Sequence, residues 1–119
     1  SSLRLVLAQR LVRCLCTSCA APHELEPAER AWVQQRLGPE AAAASFQAGR
    51  GCHRCNNTGY RGRMGVYEML EVDAPMADAL TRGDGLEFAR LARASKTYRT
   101  LDRLALDYAV EGRTTVSEA

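Results

Sequence analysis

The sequence predicts an α+β domain, predominantly helical, with a small insertion held together by four cysteines. Three observations support this prediction: two CxxC pairs, an apolar stretch typical of a buried strand, and helical periodicity near the C-terminus. The 119 residues suffice for one domain with one modest core. With 46% apolar and 25% charged residues, the composition is that of a globular protein.

The first eleven residues after the two N-terminal serines predict a helix over residues 3–13. Apolar residues recur there at helical spacing, at Leu3, Val6, Leu7 and Leu11. Further apolar residues widen the stripe, so we expect this helix to be buried around much of its circumference.

A second helix is predicted to begin at Pro27 and to end at Gly38-Pro39. The apolar residues expected on its buried face are Ala28, Trp32, Val33 and Leu37. The pattern that follows leaves two alternatives open, which are a helical extension over residues 41–44 and a short strand over residues 45–48.

Residues 52–63 are rich in turn-forming Gly and Asn, which predicts turns with solvated arginines. Residues 64–72 then predict a largely buried strand. Glu68 lies within this apolar strand, where a carboxylate usually has a partner. The expected partner is Arg63 or an arginine of the first predicted helix.

Three further helices are predicted, each with an N-terminal capping residue. Asp73 precedes a short helix that extends to Leu80, and Asp84 precedes one from Leu86 to about Ser95. Thr100 precedes the most regular pattern in the chain, with apolar residues at Leu101, Leu104, Ala105, Tyr108 and Ala109.

The last residues also resemble a helix start. Thr115 and Glu118 have the spacing of a capping box, yet the sequence ends at Ala119. We therefore expect this chain to be part of a longer protein.

Cys16, Cys19, Cys52 and Cys55 form two CxxC pairs separated by a 32-residue spacer. Zn²⁺ prefers four thiolates in a tetrahedron, and two such pairs leave no position open for water. The pattern therefore predicts one structural zinc ion. The spacer is longer than that of a minimal zinc finger, so the metal is expected to hold a helical insertion.

Other readings of these residues remain open. Paired CxxC motifs also occur in redox sites and disulfides. Cys14 offers a substitute for Cys16, although a small buried residue is the simpler interpretation. His23 and His53 are potential ligands, but a closed site needs only four, so both are interpreted as surface residues.

Charge and motifs exclude several functions. The chain has a formal charge of +2, which falls to about 0 when four thiolates bind one Zn²⁺. Such a balance disfavours nucleic acid as a partner. The sequence contains no membrane-spanning apolar run, no secretory signal pattern and no GxxxxGK[ST] phosphate-binding loop. It therefore predicts no catalytic residues of its own and no direct membrane insertion.

The ordered motifs resemble a known family. They comprise LAQRLVR at residues 7–13, the two CxxC pairs, GYRGRMGVYEML at residues 59–70 and RTTVSE at residues 113–118. In this order they resemble the C-terminal part of the ATPases of bacterial type II secretion. Type IV pilus assembly ATPases are near relatives.

This resemblance implies a division of the chain into three parts. Residues 1–13 would end a RecA-like ATPase core, residues 14–58 would form the zinc-binding insertion, and residues 59–119 would supply a strand and the C-terminal helices. ATP and Mg²⁺ would bind only to the longer parent protein. Arg10 and Arg63 are the candidates for approaching its nucleotide.

The resemblance also implies a cellular role. The parent would be a hexamer in the cytoplasm, peripheral to the bacterial inner membrane, that powers pseudopilus assembly. Expected partners are the rest of the ATPase, neighbouring subunits and platform proteins of the inner membrane. Alternatives are a pilus assembly ATPase, a stand-alone zinc-ribbon module that binds nucleic acid, and a thiol oxidoreductase.

Overall fold

The computed structural model describes residues 3–95 and 98–119, and this part of the chain is mixed α/β. Its strands are β1 (Leu3–Leu15), β2 (Ala20–His23), β3 (Phe46–Gly49) and β4 (Tyr60–Val72). Its α-helices are α1 (Pro27–Leu37), α2 (Ala74–Thr81), α3 (Gly85–Ala94) and α4 (Leu101–Val110). Short 3₁₀ turns occupy Gly38–Ala42 and His53–Cys55.

The strands form two antiparallel pairs, β1 with β4 and β2 with β3. The first pair is a long ribbon, with Leu15 opposite Tyr60 at one end and Leu3 opposite Val72 at the other. The second pair is short and joins Ala20–His23 to Phe46–Gly49. With two 13-residue strands in the ribbon, the expectation that helices predominate is not confirmed.

The helix predicted over residues 3–13 is wrong, because these residues form β1. The pairing with β4 shifts register between Val6 and Ala8, and Val6 and Leu7 are both exposed. A bulge of this kind interrupts the alternation of a strand. Val6 and Leu7 therefore follow Leu3 at the i+3 and i+4 spacing of one helical face, which a regular strand would not show.

The strand predicted over residues 64–72 is confirmed as β4, which begins earlier, at Tyr60. The segment expected to be a turn therefore ends in a strand whose arginines, Arg61 and Arg63, are exposed. The partner proposed for Glu68 is wrong. This carboxylate accepts hydrogen bonds from the Tyr98 hydroxyl (2.9 Å) and from the Leu101 backbone N–H (2.8 Å), so it joins β4 to the start of α4.

Local helix signals are confirmed for all four helices that the structure describes after β2. The helix over residues 27–37 begins at Pro27 as expected. Asp73, Asp84 and Thr100 each accept a hydrogen bond from a backbone N–H of the first turn that follows. The uncertain segment before the second cysteine pair contains the 3₁₀ turn and then β3.

Three apolar clusters hold these elements together. The first joins α1, β3 and α4 through Val33, Leu37, Phe46, Leu106, Ala109 and Val116. The second lies where the ribbon meets α4, and the third lies where the far end of the ribbon meets α2 and α3. Since α4 contributes to two clusters, it connects the insertion to the ribbon.

The opposite face of the ribbon is apolar and exposed. Its large apolar side chains include Val6, Leu11, Tyr67 and Met69, with Leu7 exposed at the bulge. Among the helices that the structure describes, none is long and apolar enough to span a bilayer.

Candidate metal centre

Four cysteine side chains meet where the Leu15–Tyr60 end of the ribbon, which we call the knuckle end, joins the β2–β3 pair. The sulfur atoms of Cys16, Cys19, Cys52 and Cys55 all lie within 4.8 Å of one another. Cys16 comes directly after β1, and Cys19 directly precedes β2. Cys52 directly precedes the 3₁₀ turn that leads towards β4, and Cys55 is the last residue of that turn. The fold therefore brings together the residues that the sequence predicted as a set.

The sulfur spacing fits one tetrahedral ion. Sγ–Sγ distances are 3.8 Å for Cys16–Cys52, 3.8 Å for Cys19–Cys55 and 3.7 Å for Cys52–Cys55. Four ligands placed about 2.3 Å from a central Zn²⁺ lie about 3.8 Å apart from one another. All five cysteines of the chain are free, and these distances far exceed a disulfide bond of about 2.05 Å.

Backbone N–H groups surround the sulfur atoms. Gly51 N–H donates to Cys19 Sγ (3.4 Å), and Gly59 N–H donates to Cys55 Sγ (3.2 Å). Cys52 N–H also donates to Cys55 Sγ (3.3 Å). Because these donors stabilise negative charge on sulfur, the turn suits thiolates better than neutral thiols.

The thiols respond to this environment in opposite directions. Burial acts to raise the pKa of Cys55, but the N–H donors of Cys52 and Gly59 and the adjacent thiols outweigh it and lower the pKa to about 6. Burial raises the pKa of Cys19 to about 11, with neighbouring thiols acting in the same direction. Four crowded thiols cannot all ionise without a cation, and a divalent metal removes this conflict.

Burial likewise acts against ionisation of Cys16, whose pKa is nevertheless lowered by the N–H groups of Ser18 and Cys19. One thiol of each CxxC pair is therefore held ready for deprotonation. This is the donor set and the electrostatic environment that a soft divalent ion requires.

The backbone around the site is close-packed. A Cβ atom on Gly59, whose φ is +83°, would lie 2.8 Å from the carbonyl oxygen of Gly49. Gly59 also accepts a hydrogen bond from Cys16 N–H (3.0 Å) through its carbonyl oxygen. Only glycine meets all three demands, which are a positive φ, a close backbone approach and contacts with both cysteine pairs.

The C-terminal residues support the centre from one side. Leu15 N–H donates to the Arg113 carbonyl (2.9 Å), and buried Thr114 donates from its hydroxyl to the Arg13 carbonyl (2.7 Å). Buried Thr115 shares a 2.8 Å hydrogen bond with the Tyr60 hydroxyl. These contacts fix the two strand ends from which both cysteine pairs extend.

Glu118 completes this support. Its carboxylate accepts from the backbone N–H of Arg13 (3.0 Å) and pairs with the guanidinium of the same residue (2.8 Å). Its backbone N–H donates to Thr115 Oγ1, so half of the predicted capping box is present. The capping-box pattern was the sequence signal for this segment, but it gave no indication that Arg13, 105 residues away, would be the partner.

Other candidate residues lie apart from the four cysteines. Among the described residues, the cysteine cluster excludes Cys14, which is half-buried, and both histidines. His53 is exposed, whereas His23 is half-buried with its ring nitrogen 3.2 Å from Glu29 Oε1. Arg10 donates to the Glu118 carbonyl (2.9 Å), and Arg63 is exposed opposite Arg13. A nucleotide role for either arginine stays a prediction.

Comparison with known proteins gives a consistent family. The family described as "Type II/IV secretion system protein" matches residues 1–119. Type II secretion system protein E of Pseudomonas aeruginosa is 40% identical over 121 residues, covering 99% of this chain and 23% of that protein. The protein of the same name from Aeromonas hydrophila is 38% identical, again covering 99% of this chain and 23% of its own length.

A pilus protein is also similar. The type IV pilus assembly ATPase PilB of Thermus thermophilus is 37% identical over 117 residues, covering 95% of this chain and 13% of that protein. The chain thus spans less than a quarter of the curated relatives described here.

Proposed function

Because the chain belongs to the type II/IV secretion system protein family, we propose that it is the zinc-binding C-terminal part of an ATPase that powers type II protein secretion. One Zn²⁺ bound by Cys16, Cys19, Cys52 and Cys55 has a structural role. The observation that carries this proposal is the tetrahedral spacing of four free thiols, 3.7–3.8 Å for the three measured pairs.

In this proposal the metal holds a partner-binding insertion onto the end of the ATPase core. The insertion comprises β2, α1 and β3 between the two cysteine pairs. Its polypeptide is 32 residues long between the CxxC motifs and has one apolar cluster, shared with α4. A metal that joins both of its ends fixes its orientation, which packing against α4 alone secures less firmly.

The exposed face of the ribbon supports the assignment to a larger ATPase. Leu11 is 65% exposed and Val6 is 59% exposed, and both lie on the same face as Tyr67 and Met69. A contiguous apolar face of this kind indicates an interface. We assign it to the RecA-like core of the parent, which would bind ATP and Mg²⁺, act as a hexamer and lie at the cytoplasmic face of the inner membrane.

A pilus assembly ATPase is the second candidate. The similarity to PilB of Thermus thermophilus favours it, because that relative matches over nearly the same residues. The zinc centre is expected to serve the same structural purpose in either parent. The two candidate parents would then differ in the fibre that they assemble, which is a pseudopilus in one case and a type IV pilus in the other.

Native mass spectrometry tests the metal assignment. The chain purified without chelator should carry one zinc ion, with the mass deficit expected for four lost thiol protons. Cys55→Ser should lose the ion, whereas the matched control Cys14→Ser should retain it because Cys14 lies outside the cluster. Full zinc occupancy in Cys55→Ser would show that the ligand assignment is wrong.

The parent assignment needs a separate measurement. Full-length protein carrying Cys55→Ser should show reduced secretion with the nucleotide site intact. Normal secretion by a full-length variant that binds no zinc would contradict the proposed role of the metal.

A further inference from the structure

Acidic residues are unevenly distributed along this chain, and binding of zinc does not require this distribution. Residues 41–67 contain no Asp or Glu, and neither do residues 1–23. Both segments come together at the zinc centre, because β1 pairs with β4 and Cys16 contacts Cys52. The acidic residues lie elsewhere, in the segment between β2 and α1, on the helices and at their ends, on the far end of β4 and in the C-terminal segment.

Three arginines dominate the surface of the second cysteine turn. The side chains of Arg50, Arg54 and Arg61 are exposed, and none of the three side chains forms a hydrogen bond or an ion pair within the described ranges 3–95 and 98–119. Six arginines elsewhere pair with carboxylates, namely Arg4, Arg13, Arg36, Arg82, Arg90 and Arg103. Residues 41–67 supply no carboxylate with which the three arginines of the turn could pair.

These arginines belong to one compact lobe, residues 49–61, which we call the knuckle lobe. The backbone of Gly49 contacts that of Gly59, and the backbone of Gly51 contacts that of Asn57. Arg50 therefore lies between two points at which the loop closes on itself. Arg61 follows Gly59 by two residues, a span of at most about 7 Å.

The side chains of these arginines do not contact the zinc thiolates, so neutralising the thiolates does not explain their presence. The N–H groups that act on the sulfur atoms belong to the backbone of Ser18, Cys19, Gly51, Cys52 and Gly59. A tetrathiolate zinc centre carries a net charge of about −2, which the arginines offset without contacting the sulfur. The guanidinium groups remain free for an external anion.

We propose that the knuckle lobe binds an acidic segment of another protein through Arg50, Arg54 and Arg61. This inference rests on the proposed function, in which the zinc-bound insertion contacts partners. Guanidinium groups are suited to carboxylates, because both are planar and form paired hydrogen bonds. An extended acidic segment would suit three exposed cations carried by residues 50–61.

Features absent from the lobe argue against other anionic partners. The exposed large apolar residues in the described chain all lie outside residues 12–66, so the lobe has none to insert into a bilayer. Its aromatic residue, Tyr60, is covered by the Arg13 guanidinium and bonded to Thr115, so it offers no free ring for a nucleic-acid base.

Binding to a defined probe tests the inference. The zinc-loaded, isotope-labelled chain is titrated with a short peptide of alternating Glu and Ser at about 50 mM salt, where surface charges are weakly screened. Amide resonances of residues 49–61 should shift. Arg50→Gln combined with Arg54→Gln should weaken binding by about three- to tenfold. The control, Arg93→Gln with Arg99→Gln, changes the net charge equally and should leave the affinity within about twofold.

Several outcomes would overturn the inference. One is an equal loss of affinity in both double variants, and another is resonance shifts that lie outside the lobe. A third is stronger binding to phosphatidylglycerol vesicles or to single-stranded oligothymidylate than to the acidic peptide. Zinc content is measured in the same samples, so loss of metal, which counts against the proposed function, is separated from loss of peptide binding.

Discussion

The two ends of this elongated molecule, which extends over 56 Å, are stabilised by different means. The knuckle end depends on the cysteine cluster that we propose binds Zn²⁺, on backbone hydrogen bonds and on glycine contacts. The far end depends on apolar packing of Leu70, Val72 and Met76 against the neighbouring helices. The comparison teaches that one chain can use a metal where apolar residues are scarce and ordinary packing where they are plentiful.

Removing the metal should produce the largest contrast between the ends. Structural zinc contributes an apparent ~10–16 kcal/mol to small zinc-finger peptides near neutral pH, so a strong chelator should unfold residues 16–59. The α2–α3 end should remain protected because its contacts involve no cysteine. Hydrogen exchange measured by mass spectrometry checks this. Equal loss of protection at both ends would show that the molecule unfolds as a single unit.

Leu70→Ala should have the reverse effect. Leu70 is fully buried, and its replacement by alanine is expected to cost about 2–5 kcal/mol of unfolding free energy while the zinc content is maintained. Denaturant titration with a parallel zinc assay measures both. Leu86→Ala is the control, since Leu86 is 87% exposed and should change stability by less than about 0.5 kcal/mol.

Gly59→Ala should weaken the knuckle end by about 1–3 kcal/mol, because the new Cβ would approach the Gly49 carbonyl at a positive φ. Gly62→Ala is the matched control. Gly62 has a similar φ of +86° with nothing near its Cβ position, so it should cost less. Zinc affinity, measured by competition with a metal indicator, should fall only for Gly59→Ala. Equal losses of stability in the two variants would show that the positive φ alone, and not the contact with Gly49, causes the destabilisation.

The smallest expected effect concerns Glu118. Burial acts to raise the pKa of Glu118, but the N–H and guanidinium of Arg13 outweigh it and hold the pKa below its usual value. A lowered pKa in the folded state means that Glu118 stabilises the fold above its ordinary pKa. This contribution is lost as the pH falls through the lowered value.

The comparison that checks it is between wild type and Glu118→Gln. The difference in unfolding free energy should be present at pH 7 and should disappear in acid. Acid also protonates the zinc thiolates, which affects both proteins equally. A difference that stays constant with pH would mean that the carboxylate charge has no role in the support.

Sequence reasoning succeeded where the signal is local or chemically specific. Asp73, Asp84 and Thr100 bond to backbone groups only three residues away, so their short patterns suffice. The cysteine set was recognisable because CxxC spacing is specific. β1 was misassigned because Val6 and Leu7, both exposed at the bulge, follow Leu3 at helical spacing, and only pairing with β4 reveals the strand.

Contacts between residues that are far apart in the sequence could not be predicted either. Glu68 finds its partners 30 and 33 residues along the chain, and Glu118 finds Arg13 at a separation of 105 residues. No short pattern encodes such pairs. They depend on how α4 packs across the ribbon, which is a property of the assembled fold.

The position of the cysteines also sets an order for folding. Leu15 and Tyr60 are 45 residues apart in sequence, yet they form the ribbon pair nearest the cysteine cluster. Once one ion joins Cys16 to Cys55, the loop that remains to be closed is only a few residues long. The metal then acts as the turn of a hairpin, from which β1 and β4 zip together towards Leu3 and Val72. Ribbon formation should therefore be faster when zinc is already bound to the unfolded chain.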